Sequence, residues 1–158
     1  MQIKYLATFA MLFFATVCPV NADQPEPDDA IKMHGVWIAE KVLFAGREVP
    51  PAKFPFELHF EKSKLTFKFV GKKSGKDRVH NIVLDSSKTP ATIDITREIR
   101  DGEVTVRGIY RFDDGKLMIC SLRGPDRQPS SERPKTFASS KTVTSDLLIL
   151  KRKPEENE

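Results

Sequence analysis

The sequence predicts an all-β fold: an eight-stranded antiparallel up-and-down barrel preceded by a short N-terminal helical turn. Apolar and polar residues alternate over eight separate segments, as they do in half-buried strands. Short turns rich in Gly, Asp, Ser and Pro separate most of these segments, and helical periodicity is almost absent. Because consecutive strands are usually neighbours, a meander is the simplest order, and it brings the first and last strands together.

The first 22 residues are predicted to be a signal peptide. Lys4 supplies the positive charge, residues 5–17 form an apolar segment, and residues 20–22 have the small-residue pattern of a cleavage site near Ala22. The apolar segment is shorter than the ~18 residues that a membrane span needs. We therefore expect export to the periplasm or the medium, with no transmembrane segment in the mature chain.

Lipid anchoring at Cys18 is the less favoured alternative. Bacterial lipoprotein signals prefer a small residue directly before the cysteine and often a leucine three residues before it, whereas this chain has Val17 and Ala15. Once the signal peptide is removed, Cys120 is the remaining cysteine, so no internal disulfide can form. The net charge of +4 is a mild excess that favours solubility and indicates no nucleic-acid partner.

The mature chain has the length of one domain. Residues 23–33 are an acidic, Pro-rich lead-in in which Asp28 or Asp29 caps a short helical turn. Residues 34–152 form the barrel, and residues 153–158 form a charged, disordered tail. We expect a monomer.

Turn residues set the strand boundaries. Asp101-Gly102 and Asp113-Asp114-Gly115 are strong hairpin signals. The connection at 123–145 is unusually long, and such connections are often functional loops or disordered segments. The predicted strands are 35–44, 56–61, 64–70, 79–85, 91–97, 104–112, 116–122 and 146–152.

Strand alternation divides these segments into an inner and an outer face. The inner face is bulky and rich in phenylalanine, which indicates a tight or shallow cavity. The predicted inward residues are Phe56, Leu58, Phe60, Leu65, Phe67, Phe69, Ile82, Leu84, Ile93, Ile95, Val106, Tyr110 and Phe112.

Trp37 and Arg152 lie near the start of the first strand and the end of the last strand. In a closed barrel the two would meet at one end, where a guanidinium over an indole contributes about 0.5–2 kcal/mol. The alternative is a core tryptophan beside an unrelated surface arginine. Either role is structural.

The segment Gly35-Val36-Trp37 resembles the first-strand motif of lipocalins, and Lys151-Arg152 resembles the basic position that packs over that tryptophan. The chain as a whole resembles a family of exported lipocalin-like domains of unknown function that is abundant in planctomycete bacteria. The resemblance implies the barrel and export, but it implies no activity and no catalytic residue. The other matching segments are Pro90 with Ile93-Asp94, 108–110, 117–120, Glu132-Arg133-Pro134 with Phe137, and 147–152.

Motifs of catalysis are missing from the sequence. It has no Gly-x-Ser-x-Gly elbow, no His-Glu-x-x-His pair, no phosphate-binding loop and no Gly-rich dinucleotide turn. Its histidines, His34, His59 and His80, are scattered along the chain. We therefore predict no enzyme, no cofactor and no metal site.

Tyr110, Cys120 and Arg133 are the candidate ligand-binding residues. If the long connection folds back over a barrel mouth, Arg133 could face an anionic group while Tyr110 offers a hydroxyl inside. The favoured alternative is that Arg133 pairs with Asp94 or a backbone carbonyl and anchors the connection. Cys120 is interpreted as a small buried hydrophobe.

Two functions remain open at this point. The first is an exported domain that binds a small hydrophobic or anionic ligand without catalysis, which depends on the size of the barrel. The second is a packed-core structural or protein-interaction domain of the cell envelope that works through the basic 123–145 connection.

Overall fold

The computed structural model describes residues 28–53, 55–71, 75–124, 128–140, 142 and 144–154. The predicted signal peptide, Cys18 and most of the predicted tail lie outside the described residues. The described chain is mostly strand and forms one closed, eight-stranded antiparallel barrel with a short helix before it. The predicted fold class is confirmed.

All eight predicted strands are present, with ends that differ from the predicted ones by no more than two residues. The elements are α1 Asp28–Met33, β1 Gly35–Phe44, β2 Arg47–Val49, a 3₁₀ turn at Pro51–Lys53, β3 Phe56–Glu61, β4 Lys64–Phe69, β5 Arg78–Asp85, β6 Ala91–Ile99, β7 Gly102–Asp113, β8 Lys116–Leu122 and β9 Ser145–Arg152.

The short strand β2 was not predicted. A tight turn at Ala45-Gly46, with φ of 49° and 75°, returns the chain onto β1, and β2 pairs with residues 42–44. Two positive φ values suit a two-residue hairpin, but alanine is an unusual turn residue, so the sequence signal was weak. Because β1 pairs with β3 only over residues 35–38, β2 occupies the same side of β1 further along.

Pairing of β1 with β9 closes the barrel. The register runs from Trp37 opposite Arg152 to Phe44 opposite Asp146, with an irregularity between Ala39 and Lys41. The remaining strands pair in chain order, which is the predicted meander.

The barrel interior is the main core. Its buried members include Trp37, Leu58, Ile93, Tyr110 and Leu117, each at most 2% exposed. The predicted inward phenylalanines are buried in this core or packed against it. The alternation of the sequence therefore assigned the inner wall correctly.

A second, smaller core lies on the outer face of the barrel. Ile109, Cys120 and Leu147 point away from the interior, and Phe137 of the connection between β8 and β9 packs against them. Ser139 fixes the far part of this connection by accepting from the Gly46 amide at 2.8 Å. The connection thus runs along the outer wall, where it covers an apolar patch.

Candidate functional site

The two ends of the barrel differ in what covers them. At the first, which we call the closed end, β1 begins, β9 ends and α1 packs across the interior through Met33, which is 1% exposed. At the opposite, open end lie Phe44, the last residue of β1, and Ser145, the first residue of β9.

The closed end is held by Trp37 and Arg152. The Trp37 indole Nε1 donates to the Met33 carbonyl at 2.7 Å, and the Arg152 guanidinium carbon lies 4.6 Å from the centroid of the indole. Arg152 also donates to the carbonyls of Lys32 and, at 2.7 Å, His34. A cation that takes up the last carbonyls of a helix stabilises its C-terminus. Arg152 therefore joins the last strand, the first strand and α1.

Gly35 makes this arrangement possible. Its φ is +113°, and a Cβ at this position would lie 2.9 Å from Nη1 of Arg152. Any side chain would displace the guanidinium from the helix carbonyls, and it would be strained in this backbone conformation as well.

Tyr110 is buried at the closed end, and its hydroxyl is already used. The hydroxyl donates to Oδ2 of Asp29 at 2.8 Å, which ties α1 to β7. Burial, followed by the Asp29 carboxylate, raises the pKa of Tyr110 well above its usual range. Tyr110 also lines a broad cleft of about 770 Å³ between α1 and residues 135–137.

Cys120 lies on the outer wall beneath the connection between β8 and β9. It is fully buried, and its Sγ lies 3.9 Å from the Ala138 carbonyl oxygen. Burial raises the pKa of its thiol to about 11. Because the thiolate is the reactive form, Cys120 is a poor nucleophile at neutral pH.

Arg133 anchors the same connection to the outer wall. Its Nη2 lies 2.6 Å from Oδ1 of Asp94, and its Nη1 donates to the carbonyls of Gly108 at 3.0 Å and Ile93 at 3.3 Å. This is the anchoring arrangement weighed from the sequence. Arg133 is thus separated by the barrel wall from the interior that Tyr110 faces, so the predicted ligand-binding residues do not converge on one site.

The interior holds a cavity of about 200 Å³ at the open end. Its lining is almost entirely apolar. The residues around it are Phe44, Phe56, Phe67, Ile95, Val106, Gly108, Ile119, Ser121, Asp146 and Leu148. The phenylalanines make it small, as the sequence predicted, but they do not fill it.

An ion pair between Arg123 and Asp146 lies at the open end, beside this cavity. Nε of Arg123 donates to both carboxylate oxygens of Asp146, at 2.7 and 2.9 Å, and the guanidinium lies 5.1 Å from the ring centroid of Phe44. Burial raises the pKa of Asp146, and Arg123 opposes that shift. Asp146 is therefore a paired carboxylate that Arg123 neutralises.

A second, more polar cavity of about 290 Å³ adjoins the first and shares Ile95, Val106, Ser121 and Asp146 with it. It adds His80 and Arg97 to the lining. Strand alternation predicts the inward position of His80, and its continuation along β6 could have revealed Arg97 as well. Position 80 follows the parity of Ile82 and Leu84, and position 97 that of Ile93 and Ile95.

His80 lies beside two arginines. Desolvation lowers the pKa of His80, and the charges of Arg97 and Arg78 lower it further. Arg78 shares the inward parity of His80 on β5, and its guanidinium carbon lies 5.6 Å from the ring centroid of Phe69. We call the group of His80, Arg97 and Arg78 the cationic mouth. It lies toward the open end, beyond the apolar cavity.

The described residues contain neither a cluster of metal-ligating side chains nor a long apolar helix. Among them, no group of three or more His, Cys, Asp or Glu side chains could hold a metal ion. Within the same ranges, no helix is long and apolar enough to cross a bilayer.

Comparison with protein-family models, with curated proteins and with solved structures gives no match to this chain. The resemblance to exported lipocalin-like domains therefore stays a prediction.

Proposed function

We propose that this barrel binds a small ligand whose apolar part occupies the cavity at the open end, without catalysis. The observation that carries this proposal is the apolar cavity of about 200 Å³ beneath a polar mouth. An apolar cavity of ~150 Å³ in another protein binds benzene, whereas drug-sized ligands occupy about 300–1,000 Å³. The ligand is therefore small, with a ring or a short alkyl chain as its apolar part.

The source of affinity is burial of apolar surface. Each methylene that leaves water contributes about 0.8 kcal/mol, and the cavity wall offers few polar atoms that would lose hydration. A preformed barrel lumen also spares the ligand the cost of ordering the protein. We further propose that the protein acts after export, as its N-terminal sequence predicts.

The interaction-domain alternative has less support. Two cations of the 123–145 connection that were its candidate surface, Arg123 and Arg133, are engaged within the fold by Asp146 and Asp94. A partner that recognised them would have to break those pairs.

Titration with octan-1-ol, followed by amide chemical shifts, tests ligand binding. We expect shifts at residues around the cavity, such as Ile95 and Leu148. The variant Ser121→Phe puts a ring where the two cavities meet, opposite the bare backbone of Gly108, and should abolish these shifts. The control Val83→Phe introduces the same ring on the outer wall, where Val83 is 68% exposed. Binding that is absent, or that persists unchanged in Ser121→Phe, contradicts the proposal.

A further inference from the structure

We infer that the ligand carries a carboxylate, held at the open end by Arg78, Arg97 and His80 while its alkyl part occupies the cavity below. This inference rests on the proposed function, because it assigns the head group of a ligand bound at that same site. It makes the ligand an amphipathic alkyl carboxylate.

The balance of charge at the mouth supports a negative ligand. Arg123 and Asp146 neutralise each other. Within the described chain, neither Arg78 nor Arg97 forms an ion pair. Glu98, the neighbouring acid on β6, lies at a position of outward parity. The charged groups that line the polar cavity are therefore net positive, because Arg97 is in excess of the Arg123–Asp146 pair.

His80 provides a directional contact beside these charges. Its Nδ1 is buried and has no hydrogen-bond partner among the described residues. A buried polar atom without a partner is costly, and such an atom in a native fold is often completed by a ligand or water. A carboxylate oxygen can accept a hydrogen bond from the protonated nitrogen of a neutral imidazole.

The lumen changes from apolar to charged toward the open end, and this change indicates an amphipathic ligand. The apolar cavity adjoins the polar one through shared walls, so a single ligand can reach from the phenylalanine-lined floor to His80 and Arg97. Arg78 lines neither cavity but lies on the same face of β5 as His80. The Arg78 guanidinium lies against the Phe69 ring, which holds a cation at the edge of the apolar surface. An arginine fork matches the two oxygens of a carboxylate.

The experiment compares octanoate, octan-1-ol and octylammonium, which share the chain length and differ in the head group. Affinities are measured by isothermal titration calorimetry at low and moderate salt. Octanoate should bind about tenfold more tightly than octan-1-ol, the equivalent of one charge-assisted hydrogen bond, and should lose that advantage as salt rises. Octylammonium should bind most weakly.

The double variant Arg78→Gln with Arg97→Gln should weaken octanoate about tenfold and leave octan-1-ol within about twofold. The matched control, Lys64→Gln with Lys151→Gln, removes two charges from exposed outward positions at the closed end and should change neither affinity. His80→Phe should weaken octanoate alone.

The failures of the two proposals are distinguishable. If octan-1-ol binds but octanoate binds no more tightly, the head-group assignment is wrong and the proposed function stands. The assignment is also wrong if the double arginine variant weakens both ligands equally. If neither ligand binds, the proposed function itself fails.

Discussion

The closed and open ends of this barrel use the same pair of chemical groups, an arginine over an aromatic ring, for different purposes. At the closed end, Arg152 lies over Trp37 and donates its hydrogen bonds to carbonyls at the end of α1. At the open end, Arg78 over Phe69 lies where no helix of the described residues covers the lumen. The contrast teaches that the acceptors nearby, rather than the stacking, decide whether such a cation is structural or available to a ligand.

The contrast extends to packing. Trp37 is 2% exposed and surrounded by core residues, whereas Phe44 and Phe67 are partly exposed and border a cavity. A residue beside a void has already lost part of its packing contacts, so truncating it removes less. We therefore expect the closed end to dominate stability and the open end to dominate binding.

The largest effect should come from Trp37→Ala. Truncating a buried aromatic residue costs about 3–5 kcal/mol, and this change also orphans the Met33 carbonyl and the stacking surface of Arg152. Urea unfolding, followed by circular dichroism, measures the free energy of unfolding. Phe67→Ala at the open end is the paired variant, and a loss in it as large as that in Trp37→Ala would remove the distinction between the ends.

The next effect is the substitution of Gly35 by alanine. The backbone strain at a positive φ costs about 1–3 kcal/mol. Gly102 has a φ of +137° but open space around its missing Cβ, so Gly102→Ala shows the strain alone. Gly35→Ala should cost more, because its Cβ would also displace Arg152. Equal losses in the two variants would show that the guanidinium moves aside without consequence.

An effect of intermediate size is expected on the outer wall, where the Phe137 ring covers the Cys120 thiol. Phe137→Ala should loosen the connection over Cys120 and accelerate its alkylation at least about tenfold, since a 1.4 kcal/mol change in local opening is a factor of ten. Thr136→Ala, at an exposed neighbouring position, is the control. If Phe137→Ala reacts at the wild-type rate, the ring does not guard the thiol.

The Cys120 thiol should make the folded protein less stable at alkaline pH. Burial raises its pKa in the folded protein to about 11 from the ordinary thiol value of 9.0, so the folded state holds this proton more tightly than the unfolded state. The resulting stability is complete below pH 9 and is lost as the pH rises toward 11. Cys120→Ala should remove that part of the alkaline loss, which paired urea titrations at about pH 8 and pH 10.5 would detect.

The inner wall was predictable because alternation with a period of two is a local property. The sequence assigned Phe56, Leu58 and Phe60 to the interior, and all three are buried there. The closure of β1 on β9 followed from the meander order and the positions of Trp37 and Arg152. These features depend on strand pattern and chain order alone.

The candidate site was not predictable in the same way, because it depends on packing across the barrel. Whether phenylalanines fill a lumen is set by a few ångströms of relative placement, which no spacing along the chain encodes. The course of the connection between β8 and β9 is a further example. The sequence suggests a pair between Arg133 and Asp94, and the structure contains it. Nothing in the sequence pattern shows that this pair places Phe137 over Cys120 on the outer wall.

The smallest expected effect is a loss of stability at acidic pH that depends on His80. Its pKa is lowered in the fold, first by desolvation and then by Arg97 and Arg78, so the unfolded chain binds this proton more readily. Stability should be complete above the unfolded value near 6.5 and should fall as the pH drops below it. His80→Gln should reduce the difference in urea midpoint between about pH 7.5 and pH 5, while His34→Gln, at an exposed position of the closed end, should not. Bound octanoate should reduce this acid loss, because its carboxylate beside the imidazole favours the protonated form and raises the pKa of His80 back toward its ordinary value. A His80→Gln variant with the full wild-type acid dependence would show that the open end does not sense this proton, and the difference between the two ends would then rest on packing alone.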